Sequence, residues 1–313
     1  MLGYLVRRVL AAIPVMGVVA LFVFLLLRLT PGDPAAVLAG DNATPAQLER
    51  IRASLGLNEP LYIQFFTWIN RLLHGDLGVS LISNVPVLRM IGQRVEPSIT
   101  IAVSTIILSV LIAVPLGVIA AYKHGTIIDR FVMGLSVLGF SVPVFVIGYV
   151  LIQIFAIDLR WLPVQGFRSV TTGFLPFLER IILPTLTLSF IYVALIARMT
   201  RAAMLDVMGE DYIRTARAKG IGEIAVLLRH GLRNAAIPVI TVIGTGFALL
   251  ISGVVVTESV FNLPGIGRLT VDAVLARDYP VIQAMILLTS LIYVTVNLLI
   301  DVAYIVLDPR IRY

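Results

Sequence analysis

Apolar residues gather in six long runs along the chain: Val9–Leu29, Ser98–Ala121, Phe131–Ile157, Ile181–Ala197, Ala236–Thr257 and Val281–Val306. Each is long enough to cross a hydrocarbon core of roughly 30 Å as a helix. The third and sixth exceed that need, so tilt or kinking is expected, with Pro143 as the kink in the third. Between the runs lie polar intervals whose patterning is itself helical in two places.

The first interval, 30–97, opens on the turn cluster Leu29-Thr-Pro-Gly-Asp-Pro-Ala35, which ends the first span. Thr44, Pro45 and Gln47 read as N-cap, first helical position and capping-box partner. That helix runs to Leu55, with Gly56 supplying a left-handed stop. A second helix begins at Pro60 and ends near His74 and Gly75, with Leu61, Phe65, Trp68, Ile69 and Leu72 on one face. A third amphipathic stretch, Val85–Val95, precedes Pro97 and the second span. Short helices with apolar faces fit either of two roles, lying on lipid headgroups or capping a pore mouth.

The other patterned interval is 198–235. Residues 211–219 have helix-forming composition without proline or glycine, and Gly220 is placed as their stop. From Glu223 to Asn234 the helical pattern resumes, with Ala225, Leu228 and Leu232 on one stripe. Helix, glycine turn and helix make a protruding elbow. Ala216 and Gly220 are small enough for a partner's groove to close on the backbone, and Arg214, Arg217 and Lys219 can pair with acidic groups or anionic lipid. So long an arginine-rich excursion in so apolar a chain reads as a docking surface.

Composition agrees. Of 313 residues, 59% are apolar and 13% charged, and mean hydropathy is +0.99; a soluble chain would carry roughly a quarter charged residues. With the N-terminus inside, the inner segments hold 13 basic residues in 62 positions against 5 in 46 for the short outer loops, which favours both termini inside. The apolar run after Arg7-Arg8 exceeds a typical signal-peptide core, and the small-residue site near Val37–Ala39 lies well past it, so the segment is expected to stay. The absence of cysteine excludes disulfides and thiolate chemistry. A pI near 9.8 is explained by the loops that flank the spans and asks for no nucleic acid.

Few residues carry candidate chemistry. Asp301 is the acidic group within a span; it marks an ion or proton path, or pairs with an arginine on its own side. His74, His124 and His230 fall on separate loops at no metal-ligand spacing. Lys123 and Lys219 complete no Gly-x4-Gly-Lys-Ser/Thr loop, so nucleotide for any ATP-driven transport must bind another polypeptide. No internal repeat is visible, which weakens a secondary-transporter reading. Gly134, Gly139, Gly148, Gly244, Gly246 and Gly253 read as points of close helix approach.

The elbow resembles the EAA loop of ABC importer permeases, the segment that seats in a cleft of the ATPase subunit. Ala216 and Gly220 match its pattern and Leu232 falls on its leucine, while Arg214, Thr215 and Arg233 depart from it. Those departures are the form found in the dipeptide/oligopeptide/nickel branch, the DppB/OppB type. Leu29–Ala35, Glu258–Arg268, Arg277–Pro280 and Asp308–Arg312 resemble further signatures of that branch. Residues 145–165 and 210–234 are also similar to the glutathione-importer permease.

The resemblance implies an all-α integral membrane protein of the type I importer permease fold, with six transmembrane helices and a small helical periplasmic insertion. Its parts would be 1–29, the cytoplasmic N-terminus and first span; 30–97, the insertion; and 98–313, a five-helix core with its coupling loop at 198–235. It implies a bacterial inner-membrane subunit with both termini cytoplasmic, importing dipeptides or oligopeptides by alternating access; glutathione and nickel chelates are the alternative cargoes. The partners implied are a homologous second permease (DppC/OppC type), two cytoplasmic ATPases that bind the ATP and magnesium, and a periplasmic or extracellular solute-binding protein. Asp211, Arg214, Thr215, Ala216, Lys219 and Gly220 are the coupling residues implied, with no cofactor or metal in this chain. An ion-coupled carrier and a membrane scaffold remain alternatives.

Overall fold

A computed structural model describes residues 2–29, 35, 44–54 and 56–307. The Leu29–Ala35 turn cluster, apart from its two end residues, and the Asp308–Arg312 motif lie outside the described residues. In chain order the helices are α1 (Leu2–Leu29), α2 (Pro45–Ser54), α3 (Leu61–Leu73), α4 (Val87–Tyr122), α5 (Ile127–Ser141), α6 (Val144–Leu151), α7 (Phe174–Met208), α8 (Asp211–Ala218), α9 (Arg233–Gly253), α10 (Val255–Val260), α11 (Ile266–Leu275) and α12 (Tyr279–Leu307). α1, α4, α7, the run into α9, and α12 are long and apolar enough to cross a membrane, and α5 with the bent Val144–Asp158 helix brings the number to six if that pair counts as one span. The described residues form no strand beyond one isolated bridge, Val79 to Pro86.

The third span differs most from expectation. It is not a kinked helix: α5 and the Val144–Asp158 helix meet at 99°. Val142, the residue before Pro143, is extended at φ −92°, ψ 123°, the region that a following proline favours. Pro143 itself has no N–H to continue the ladder. Elsewhere proline does not break the helix. Pro97 and Pro115 lie inside α4, which runs unbroken through Val87–Tyr122, so the stretch expected to precede the second span is its first turns. Pro184 and Pro238 are likewise housed in α7 and α9.

The core forms where α4 and α7 pack along a stripe of small residues. On α4 the positions Thr105, Ser109, Ala113, Gly117 and Ala121 recur every four residues and are buried, the spacing that lets helix backbones approach. A Cβ at Gly117 would stand 2.6 Å from the Thr200 Cβ. Gly139, Gly148, Gly244 and Gly246 also lie against neighbouring helices or side chains, whereas Gly134 faces open space.

In the 44–95 region the capping box forms as expected. Gln47 Oε1 accepts the Thr44 N–H at 2.9 Å, and Gly56 (φ +67°) ends the turn. α3 lays Phe65, Trp68, Ile69 and Leu72 inward, while Leu61 is left exposed; Phe65 and Trp68 meet Phe24 of α1 at ring-centre distances of 5.3 and 5.8 Å. Asp278, in the Arg277–Pro280 motif, is buried and accepts the Leu81 N–H at 3.1 Å and the Ser80 hydroxyl at 2.5 Å. That motif therefore ties the segment before α4 to the start of α12.

Candidate functional site

The elbow is built on the end of α7, which continues helical to Met208, well past the end of its apolar run. α8 follows after a two-residue turn and stops at a glycine. The Gly220 N–H donates to Arg217 O at 2.9 Å and the Ile221 N–H to Ala216 O at 3.3 Å, the paired bonds of a Schellman end, with Gly220 at φ +76°. Ile221 then packs back onto Ile213, Ala216 and Val226. The sequence-predicted stop is thus closed by backbone hydrogen bonds and by an apolar contact.

Ala216 belongs to the same cluster: it is 6% exposed and packs with the chain's own Ile213 and Val226. Asp211, Arg214, Thr215, Lys219 and Gly220 are exposed on the other side of α8. Arg214 Nη1 lies 3.2 Å from Asp211 Oδ1.

The return limb also differs. One α-turn, Glu223–Ala225, passes into a π-helical stretch, Val226–Leu232. The wider turn shifts the phase: Val226, Gly231 and Ala235 are buried, whereas Ala225 and Leu228 of the expected stripe are exposed. A Cβ at Gly231 would meet the flexible end of Met204, Cε, at 2.9 Å. The limb is therefore seated on the end of α7.

Across the glycine turn, Arg217 grips Glu223 at two points, Nη2 to Oε1 at 2.7 Å and Nε to Oε2 at 3.2 Å. The carboxylate holds the Arg217 guanidinium above its ordinary value. Tyr212 is raised by partial burial and by the nearby Glu210 carboxylate. The elbow thus presents a rigid, mixed-charge surface with a bare backbone at its tip.

Two buried polar centres escaped the sequence reading. Near the elbow, Asp129 at the start of α5 is held by Arg201 of α7; an acidic residue in a first turn after Gly125-Thr126 was the available signal. At the opposite end, Glu258 is fully buried. Its carboxylate accepts the Ser98 hydroxyl at 2.6 Å and the Arg268 N–H at 2.8 Å, and Ser98 Oγ accepts the Ile266 N–H at 2.8 Å. The Glu258–Arg268 motif is therefore a self-capped joint among α4, α10 and α11. Asp301 pairs with Arg8, Oδ1 to Nη2 at 2.9 Å, the second of the two roles open to it. Among the described residues no group of three or more histidines or acids is placed to hold a metal.

Residues 113–313 match the family described as binding-protein-dependent transport system inner membrane component, and residues 1–108 match that system's N-terminal membrane component. A probable peptide ABC transporter permease protein of Sinorhizobium fredii is 54% identical over 310 residues, covering 99% of each chain. The glutathione transport system permease protein GsiC of Escherichia coli K12 is 45% identical over 313 residues, covering both chains fully. Among solved structures, a chain of the MetNI methionine ABC transporter in an inward-facing conformation superposes with a TM-score of 0.57 at 16% identity. That match covers 71% of this chain and 97% of that one.

Proposed function

The chain belongs to the family of binding-protein-dependent transport inner membrane components, and from that premise we propose that it imports short peptides and is driven through the elbow at 211–220. As a permease component it leaves ATP hydrolysis to separate ATPase subunits. The observation that carries the coupling role is the Schellman-closed tip with its exposed, charged outer side. Asp211, Arg214, Thr215, Lys219 and Gly220 would meet the ATPase, and Ala216 would hold the elbow's shape from within. ATP-driven closure of the ATPase pair would push the elbow and α7, and the spans would alternate between inward and outward openings.

The relatives' names suggest the cargo: peptides for one, glutathione, itself a modified tripeptide, for the other. Short peptides satisfy both. The remaining parts of the machine follow the same reading: a homologous second permease, two ATPases, a solute-binding protein and both termini on the cytoplasmic side. The 30–97 insertion would lie outside and form part of the binding protein's platform.

The elbow reading is tested by Gly220→Asp. Nothing lies within 4 Å of a Cβ built there, and the left-handed φ of +76° strains a non-glycine residue by about 1 kcal/mol at this exposed turn, so the change should leave membrane insertion intact while adding a side chain and a charge where the ATPase would seat. Loss of ATPase co-purification is expected, and undiminished co-purification overturns the assignment. Uptake of radiolabelled glutathione and glycyl-leucine, with and without the ATPases, tests the cargo; concentrative uptake by this chain alone would point to an ion-coupled carrier.

A further inference from the structure

The elbow has a second mechanical connection near its base. Asp129, in the first turn of α5, is buried. Its Oδ1 accepts from Arg201 Nε at 2.5 Å, and its Oδ2 accepts from Arg201 Nη2 at 2.8 Å and from the Gly125 N–H at 2.9 Å. His124 Nδ1 lies 3.1 Å from the same oxygen. This is a two-point guanidinium–carboxylate fork, the strongest and most directional side-chain link available. Arg201 sits two turns before α7 ends and the elbow begins. α7, at 35 residues, is roughly 50 Å long at 1.5 Å per residue, so its elbow end projects beyond the hydrocarbon as a stiff lever.

α5 also meets α7 closely at Gly139. A Cβ at Gly139 would lie 2.9 Å from the Ala194 Cβ and 3.0 Å from Phe190 O, and the Arg198 guanidinium stands over the Phe140 ring at 5.3 Å. Beside these attachments α4, α5 and α7 border an open pocket of about 190 Å³. Val132, Leu135 and Ser136 of α5 and Ser189, Val193 and Ala197 of α7 are among its lining. The buried Ser189 hydroxyl there has no partner. α5 is thus fastened at its two ends, with Val132 and Ser136 buried between them. Just past the Gly139 crossing, the span breaks at Val142-Pro143 and turns through 99° into α6.

We propose that Asp129 and Arg201 are the positioning pair that passes movement of the coupling elbow into the broken third span, with the Gly139 crossing as pivot. Displacing the end of α7 pulls Arg201. The fork draws the start of α5 with it, because pulling a two-point charge pair off a buried carboxylate costs more than sliding apolar surface. α5 then rocks about Gly139 and re-aims α6 at the proline break. The inference rests on the elbow reading of the previous section.

The chain contains no cysteine, so Ser141→Cys places one unique thiol of this chain at the exposed break. The whole importer, with its second permease, ATPases and binding protein, is reconstituted in vesicles. It is labelled with a membrane-impermeant maleimide, nucleotide-free and after trapping with ATP and vanadate. The unaltered pair should give labelling that differs between the two states. In Asp129→Asn and Arg201→Lys the difference should vanish while the ATPases still co-purify and hydrolyse ATP. Glutathione or glycyl-leucine uptake should fall on the order of tenfold, and Asp129→Glu should restore part of both signals.

Persistence of the labelling difference in both variants overturns the proposal, as does equal labelling of the two states with the pair intact. If both variants lose ATPase co-purification, the fork merely holds the fold and the proposal again fails. Retained co-purification in Gly220→Asp instead sinks the elbow reading, so the two failures are distinguishable.

Discussion

Arg8 Nη2 and Asp301 Oδ1 lie 2.9 Å apart, joining the first and last spans of the chain. α1 needs such a tie. Leu10, Ile13, Val18 and Phe22 on it are exposed, and its described buried residues are Ala20, Val23 and Phe24 towards its far end. Half of the Arg8 side chain is exposed against 13% of Asp301, so the pair is only partly enclosed by protein and its contribution is about 1 kcal/mol. Asp301→Asn should therefore lower the thermal midpoint slightly and weaken cross-linking between α1 and α12, while ATP-driven uptake survives. Abolished uptake with normal thermal stability would restore a proton or ion path through this aspartate.

At the opposite end, the Glu258 joint admits no side chain at Gly265, where a Cβ would stand 1.9 Å from Glu258 Oε1. Gly265→Ala should destabilise by about 3 kcal/mol through overpacking. Ser98→Ala removes both a donor to the carboxylate and the acceptor of the Ile266 N–H, at about 1–3 kcal/mol. Glu258→Gln keeps the shape and an acceptor oxygen, and should be the mildest of the three. Detergent-solubilised thermal unfolding of each variant would rank them, and a neutral Gly265→Ala would refute the joint.

The two sides of α8 should respond differently to substitution. Ala216→Leu inserts bulk between Ile213 and Val226 and should loosen the elbow by about 1–3 kcal/mol, seen as new proteolytic cleavage within residues 209–223. Lys219→Glu alters the exposed side and should leave cleavage unchanged while reducing ATPase capture. Equal protease resistance in both variants would mean that Ala216 is not part of an internal core.

The helix stop at Gly220, the capping box at Thr44 and Gln47, and the α3 face at Phe65, Trp68 and Ile69 were legible in the sequence because each is set by a few neighbouring residues. Two expectations failed through long-range effects. The π-helical turn at Val226–Leu232 moved the buried stripe by a phase that a 3.6-residue period does not contain. Pro143 broke a span where Pro97 and Pro115 did not, which depends on what surrounds each proline. Asp129 with Arg201, Ser98 with Glu258 and Arg8 with Asp301 are separated by 72, 160 and 293 positions. One sequence offers no periodicity that could pair them. Ala216 shows the same limit: its small size was visible, but the side of the helix it faced was not.

The glycines of the spans, alike in sequence, separate into two kinds in the structure. At Gly117 an added Cβ would lie 2.7 Å from the Ala197 carbonyl oxygen as well as 2.6 Å from Thr200 Cβ. Backbone cannot yield as a flexible side chain does, so α4 and α7 would have to separate along their shared stripe. At Gly134 nothing stands within 4 Å. Gly117→Val should cost about 3 kcal/mol or more and deplete the protein from the membrane fraction. Gly134→Val should change stability by no more than about 0.5 kcal/mol, unless the second permease covers that face in the assembled importer. Measuring both variants first in this chain alone and then in the complex separates those cases: a Gly134→Val defect confined to the complex would place α5 at the subunit boundary, and a Gly117→Val protein with wild-type stability would disprove the close α4–α7 crossing.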